Sequence, residues 1–297
     1  MDRVCRMPGE NLKEEVLRGL GRLCERPAHD AILSAPSNPG VERMEARFTG
    51  DAFEPHRHDT YAIGVTLHGV QTFRYRGEKR QSLPGNIMVL HPDEVHDGGA
   101  GTEDGLRYRM IYLEPALAIA ALGGNHGALP FVREPVFSDA PLVSAISAAF
   151  GNPDAEMDEL LVDDIVSRLT LGLARHAKQP LKPMGRPAVR QAGMARDYLA
   201  DNALRLVRSR ELEAVSGLDR YALSRHFRAL YATSPHRFLL MRRLQRAKDL
   251  MKLGVPLAEI AVETGFTDQS HLNRQFKKAY GITPGRWAAL TTASRDV

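Results

Sequence analysis

The chain has 297 residues, 43% hydrophobic and 26% charged, with 25 glycines and 18 prolines. That length suits two domains, and that composition excludes disordered and collagen-like classes. The longest apolar run, Ala116 to Leu122, is too short to cross a bilayer as a helix, so no membrane partner is expected.

The formal net charge of +4 divides unevenly. Residues 181–297 carry 21 Lys and Arg against 10 Asp and Glu, whereas residues 1–180 carry 19 against 26. A mildly acidic body is joined to a basic tail suited to a polyanion.

Residues 1–40 read as an extension with one short amphipathic segment, Leu12–Leu23. Both cysteines, Cys5 and Cys24, lie in it; they cannot staple a fold and fit a reduced compartment. No basic start followed by an apolar core and a small-residue cleavage site appears, so a cytoplasmic location is expected. Strands are predicted over Val41–Thr49, Tyr61–Leu67, Val70–Arg76, Asn86–Leu90 and Leu106–Leu113, short runs of β-branched or aromatic residues bounded by Gly, Pro or Asp. Such closely spaced strands favour a barrel or sandwich.

From Glu114 the pattern turns helical, with a pair of helices at about Ala140–Phe150 and Ala155–Ala177. Leu142, Val143, Ile146 and Ala149 form one apolar stripe, and Leu160, Leu161, Ile165, Leu169 and Leu173 another. These suit packing on the strands or pairing of two subunits. Lys178–Pro187 holds three prolines and a glycine and reads as an extended linker. The expected domains are therefore 41–177, with its helical pair, and 188–297, all α-helical.

The last domain repeats itself. Leu223-Ser-Arg-His-Phe-Arg-Ala-Leu-Tyr-Ala-Thr-Ser-Pro235 aligns with Leu272-Asn-Arg-Gln-Phe-Lys-Lys-Ala-Tyr-Gly-Ile-Thr-Pro284 at an offset of 49. Asp219 and Asp268 precede the copies at that offset, and Arg237 and Arg286 follow. Each copy reads as helix, glycine turn, helix. Pro256 suits a first helical turn, Gly265 a left-handed helix end, and Asp268 a cap for the next helix. Leu223, Phe227 and Leu230, like Leu272, Phe276 and Ala279, point inward at helical spacing. That leaves Arg220, Tyr221, Ser224, Arg225 and Arg228 outward in the first copy, and Gln269, Ser270, Asn273, Arg274 and Lys277 in the second. Their donor patterns suit base edges in the major groove of double-stranded DNA. Between the copies, Pro235–Lys252 is predicted as one helix, roughly 27 Å long at 1.5 Å per residue. It spaces the two reading helices for adjacent half-sites.

At this point residues 188–290 resemble the AraC/XylS family of transcription regulators, most specifically through Gly265-Phe-Thr-Asp-Gln-Ser-His-Leu-Asn-Arg-Gln-Phe-Lys-Lys-Ala-Tyr-Gly-Ile-Thr-Pro284. The resemblance implies base reading by Tyr221, Ser224 and Arg225 in the first module. In the second it implies Gln269, Ser270, His271, Asn273 and Arg274. It also implies pairing of subunits through helices in 140–177, and RNA polymerase as a partner if the protein activates. Two positions in the first module depart from the pattern. Glu213 stands where the second copy has Ala261, and Ala232 where it has Gly281.

In the N-terminal half, His56-Arg-His58 and Gly85-(five residues)-His91-Pro-Asp-Glu-Val-His96 place imidazoles where residues i and i+2 of a strand share a face. Residues 41–113 resemble the cupins, which implies a β-barrel whose mouth these residues line. Metal-binding cupins commonly place a Glu a few residues beyond the His pair, where this chain has Ala62 and Ile63. The leading expectation is a metal-free effector site of His56, His58, Tyr61, Tyr75, His96 and Tyr108, with no cofactor. His68, His126 and His176 are assigned to surface or packing.

The expected fold class is α+β: a cupin-like barrel, a helical pair and two helix–turn–helix modules. The expected function is effector-controlled, sequence-specific DNA binding rather than catalysis. The alternatives are a regulator that senses metal through His56, His58 and His96, or a cupin metalloenzyme with an accessory DNA-binding domain.

Overall fold

Two antiparallel sheets carry the N-terminal half. The computed structural model describes residues 30–123, 129–177 and 185–293. Leu12–Leu23, both cysteines, His126 and most of the expected linker lie outside the described residues.

One sheet has the strand order β1 (Ala31–Ser34), β2 (Val41–Phe48), β9 (Leu106–Leu113), β4 (Tyr61–Gly69), β7 (Ile87–Leu90) and β10 (Val136–Phe137). The other runs β3 (Asp51–His56), β8 (His96–Ala100), β5 (Gln71–Tyr75) and β6 (Glu78–Ser82). The expected barrel is corrected to these two sheets. Among the described residues no ladder joins an edge of one to an edge of the other. The sheet also begins upstream of residue 41, because β1 pairs with β2 along its whole length.

Period-two alternation sorts the side chains into two cores. Tyr61, Ile63 and Val65 on β4, with Ile111 and Leu113 on β9, face three helices on the outside: α1 (Pro115–Ala121), α2 (Ala140–Ala149) and α3 (Glu159–His176). Ala62, Leu106, Tyr108 and Met110 face inward between the sheets. The α2 and α3 stripes are mostly spent on this packing: Leu142, Ile146, Ile165, Leu169 and Leu173 are fully buried. Leu160 and Leu171 remain exposed, at 81% and 53%. Arg43 fastens α2 from below. Its buried guanidinium donates to the carbonyls of Ala149 (2.6 Å) and Asn152 (3.1 Å) at the helix's carboxyl end, where a cation is favoured.

The C-terminal half is helical: α4 (Arg186–Asp201), α5 (Ser209–Ser216), α6 (Arg220–Tyr231), α7 (Pro235–Lys252), α8 (Leu257–Glu263), α9 (Gln269–Tyr280) and α10 (Pro284–Ala293). Helix α4 starts inside the expected linker because Pro187 lies in its first turn, where the missing N–H costs nothing. Helix α7 has the predicted bounds. The two helix pairs sit in different cores. Leu212, Leu223, Phe227 and Leu230 of α5 and α6 pack with α4 and with Ile119 of α1. Leu272, Phe276 and Trp287 of α9 and α10, with Met241 and Leu244 of α7, continue the core that lies between the two sheets.

Candidate functional site

Both helix pairs are built by the local rules their sequences announce. Gly217 and Gly265 end α5 and α8 near left-handed backbone, at φ 68° and 75°. The Ser216 hydroxyl donates to the Leu212 carbonyl (2.7 Å), and Thr264 repeats this to Ile260 (2.5 Å). Asp219 accepts from the Tyr221 and Ala222 amides at 2.9 and 3.0 Å, and Asp268 from the His271 amide at 2.6 Å. Pro256 caps α8 from just outside rather than opening its first turn.

Arg220, Tyr221, Arg225, Arg228, Gln269, Ser270 and Arg274 are exposed, and Ser224, His271, Asn273 and Lys277 half-buried. Tyr221 is 70% exposed, unusual for so large an apolar side chain. His271 leans edge-on against Phe266.

The two departures in the first pair have local consequences. The Glu213 carboxylate accepts from the Arg220 amide (3.0 Å), so it adds a second cap to α6. Ala232 takes the left-handed conformation that its counterpart Gly281 takes, with φ 55° against 71°. Alanine tolerates this at a cost on the order of 1 kcal/mol. Gly281 has a further reason to be glycine: a Cβ there would lie 2.5 Å from the Glu54 carbonyl oxygen and 2.7 Å from His56 Nδ1.

In the N-terminal half, His56 and His96 are cross-strand partners of β3 and β8, with ring centroids 4.3 Å apart. His58 lies beyond the end of β3 rather than on a shared strand, yet its ring reaches within 4.9 Å of His96. Each Nδ1 meets a backbone carbonyl: Glu54 for His56 (2.8 Å), Thr60 for His58 (2.9 Å) and Glu94 for His96 (2.9 Å). A carbonyl can only accept, so Nδ1 carries the proton in all three rings. Burial pushes His56 down to about 4, His58 to about 3, and His96 well below the ordinary range. The rings are neutral near pH 7.

These histidines line a cavity with Tyr108, Met44, Phe53 and Met110. Tyr61 does not reach it. Tyr61 points to the helix side, and its hydroxyl donates to the Pro130 carbonyl (2.8 Å). Tyr75 is committed to His91, whose Nδ1 lies 2.7 Å from the phenol. His68 is exposed, and His176 bonds Asp139 at 2.8 Å.

The opposite wall of the cavity comes from the helical half: Met241, Arg242 and Lys248 of α7, Tyr280 of α9 and Trp287 of α10. Ion pairs rim it. Lys248 meets Glu42 at 2.5 Å, Arg237 meets Asp93 at 2.8 Å, and Lys277 meets Glu54 at 2.8 Å. Arg242 spans Asp59 and Glu114. Burial raises the Glu42 carboxyl, but Lys248, joined by Lys252 and Arg242, outweighs it and holds the group below its ordinary value. Burial dominates at Asp59 and pushes it up despite Arg242. In every one of these pairs the base belongs to the helical half and the acid to the sheet half, so part of the uneven charge is met within the chain. The Glu54 amide also donates to the Gly281 carbonyl (3.0 Å), tying β3 to the end of α9.

A family model for the AraC-like ligand binding domain matches residues 38–169, and one for a helix-turn-helix domain matches residues 212–289. The arabinose operon regulatory protein of Escherichia coli (strain K12) is 27% identical over 243 residues, 77% of this chain and 80% of that protein. The uncharacterized HTH-type transcriptional regulator YbfI of Bacillus subtilis (strain 168) is 26% identical over 242 residues, 79% of this chain and 87% of that protein. The chain belongs to the AraC family of transcription regulators.

The fold extends the likeness. ToxT from Vibrio cholerae matches with a TM-score of 0.60 at 12% identity, over 88% of this chain and 99% of that one. This AraC-family chain is a transcription regulator with an N-terminal ligand-binding domain and a helix-turn-helix DNA-binding domain. Among the described residues no helix is long and apolar enough to cross a membrane. Sequence reasoning missed the cavity wall formed by α7, α9 and α10. The signal available was the pairing of an acidic with a basic half, which was read only as attraction to an external polyanion.

Proposed function

We propose that a small-molecule effector occupies the cavity between the sheets and α7, α9 and α10, and thereby sets how the second module meets DNA. The observation that carries this is the shared lining: Met44, Phe53 and Tyr108 on one side, and Met241, Tyr280 and Trp287 on the other. A ligand touching both halves has differential affinity for their docked and undocked arrangements, which is what effector control requires. The lining favours a partly apolar molecule with hydrogen-bonding oxygens. ToxT, of similar fold, has been solved bound to an unsaturated fatty acid, which supports a small molecule as occupant.

In this reading residues 41–177 sense, 178–187 link and 188–297 bind DNA. Tyr221, Ser224 and Arg225 read one major-groove half-site; Gln269, Ser270, His271, Asn273 and Arg274 read the adjacent one. Arg220, Arg228 and Lys277 meet phosphates. A homodimer forms through the outer face of α3, supported by exposed Leu160 and Leu171. An activator would also meet RNA polymerase. The test is a thermal-shift screen of metabolites on the full chain, where a ligand at 100 times its Kd adds about 2.7 kcal/mol. Trp287, the only tryptophan, reports occupancy by its emission. A stabilising ligand that leaves Trp287 emission unchanged would contradict this placement.

A further inference from the structure

The wall of the proposed effector cavity also specifies the charge of its occupant, an inference that rests on that placement of the effector. Three acids and three bases line the cavity: Glu42, Asp59 and Asp97 against Arg43, Arg242 and Lys248. The bases are already engaged. Lys248 meets Glu42, and Arg242 is shared between Asp59 and Glu114. Arg43 donates to the backbone carbonyls of Pro36, Ala149, Asn152 and Ala155. Of the three acids, Asp97 alone lacks a basic partner among the described residues; it is half-buried and accepts the Arg74 amide (2.5 Å).

A charge taken out of water is costly unless it is paired. A carboxylate entering this wall would have to displace Glu42 or Asp59 from its base and then lie beside the acid it displaced. An ammonium would meet Lys248 and Arg242, with only Asp97 open to it.

The polar groups left over are neutral. No hydrogen bond among the described residues engages the hydroxyls of Tyr108, Tyr112 and Tyr280 or the carboxamides of Gln71 and Gln245, and all five residues line the cavity. His58 lines it too, and its Nε2 is buried without a partner. With the proton on Nδ1, that nitrogen can only accept. Phenols and carboxamides answer donors and acceptors alike. His58 requires a donor, which a hydroxyl supplies and an ether or ester does not. The apolar part of the wall is Phe53, Met88, Met110, Met241, Ile282 and Trp287.

The surroundings carry the same bias. The cavity shares Glu42, Thr60, Tyr112, Arg242 and Gln245 with a second pocket, whose other residues include Asn38, Glu114 and Asp249. In that pocket Glu42, Glu114 and Asp249 face one base, Arg242. An anion passing that way meets net negative charge.

We infer that the cavity takes an uncharged, hydroxyl-bearing molecule with an apolar body, and rejects the carboxylate or amine of the same skeleton. Glu42 sets the selectivity against acids: by pairing with Lys248 it denies an acidic ligand its base.

The test titrates 1-octanol, octanoate and octylammonium into the full chain at pH 7, with Trp287 emission as the readout. The three share one apolar body and differ in the head group. 1-Octanol should bind at least about tenfold more tightly than either charged probe. Methyl octyl ether, which accepts but cannot donate, should bind about threefold more weakly than the alcohol. In Glu42→Gln, checked for folding by circular dichroism, octanoate should gain about tenfold while 1-octanol changes less than about twofold. Octanoate or octylammonium binding the wild-type chain as tightly as 1-octanol overturns the selectivity and leaves the cavity an effector site. Equal binding of ether and alcohol overturns the hydroxyl requirement. An unchanged octanoate affinity in folded Glu42→Gln overturns the role of Glu42, and if that variant does not fold, the wild-type ranking decides alone. No change of Trp287 emission with any probe overturns the placement of the effector, and the selectivity falls with it.

Discussion

The two helix–turn–helix modules share a plan and differ in what they touch. Both have an aspartate cap, a left-handed glycine turn and a hydroxyl back-bond at the same places. The first packs on α4 and α7 and meets the N-terminal half through an apolar contact with Ile119. The second closes the cavity, lends it Tyr280, and gives a backbone bond and an ion pair to Glu54. Their endings reflect this. Ala232 faces no neighbour that forbids a Cβ, whereas Gly281 lies against a carbonyl and an imidazole. The chain holds two copies of one module, and only the second lines the cavity.

Substitution at the two endings should break the symmetry most. Gly281→Val places a β-branched residue at positive φ, about 1–2 kcal/mol, and forces overpacking worth about 1–3 kcal/mol more. Urea unfolding of the full chain should show a combined loss of about 2–5 kcal/mol, and a loss no larger than the backbone cost of about 1–2 kcal/mol would mean the module does not dock there. Next in size, Arg274→Ala should cost roughly 1–3 kcal/mol on the operator and relax preference at particular base pairs. Arg225→Ala should cost less and select less. Titrations against operators with single base-pair changes check both, and equal loss on random DNA for Arg274→Ala would remove that helix as the base reader. At the first module, Ala232→Gly relieves strain and should stabilise by at most about 1 kcal/mol in the same unfolding assay.

The smallest effects concern phosphates. Arg228→Ala should reduce the salt slope of DNA binding by about one. Lys277 pairs with Glu54 across a partly exposed contact, with side chains 44% and 64% accessible, so breaking that pair is worth about 0–1 kcal/mol. Glu54→Gln should therefore tighten binding slightly and leave the slope unchanged. A steeper slope in Glu54→Gln would show that Lys277 reaches phosphate only when released.

The helical half was legible because its signals are local. Caps, turn glycines and the 3.6 period located α7 and both modules. The sheet half was legible where β-branched residues cluster: Leu106–Leu113 is the observed β9. It was not legible at β8, His-Asp-Gly-Gly-Ala, where a Cβ on Gly99 would lie 2.7 Å from the Gly50 carbonyl oxygen. Those glycines serve a close approach of strands that propensity counts against. Strand β3 carries Pro55 and two breaks in register, and was missed for the same kind of reason. Tyr61 was grouped with the histidines, but strand alternation turns it with Ile63 and Val65 toward the helices. The cavity wall from Met241, Lys248 and Trp287 depends on contacts remote in sequence, which no local pattern encodes.

The most direct test takes the compound that most raises the melting temperature in the metabolite screen. It is titrated into the full chain while Trp287 emission and operator affinity are both recorded. If the cavity effector governs the docked module, the two signals change together with one midpoint. Emission that changes while operator affinity stays constant would contradict control through the cavity.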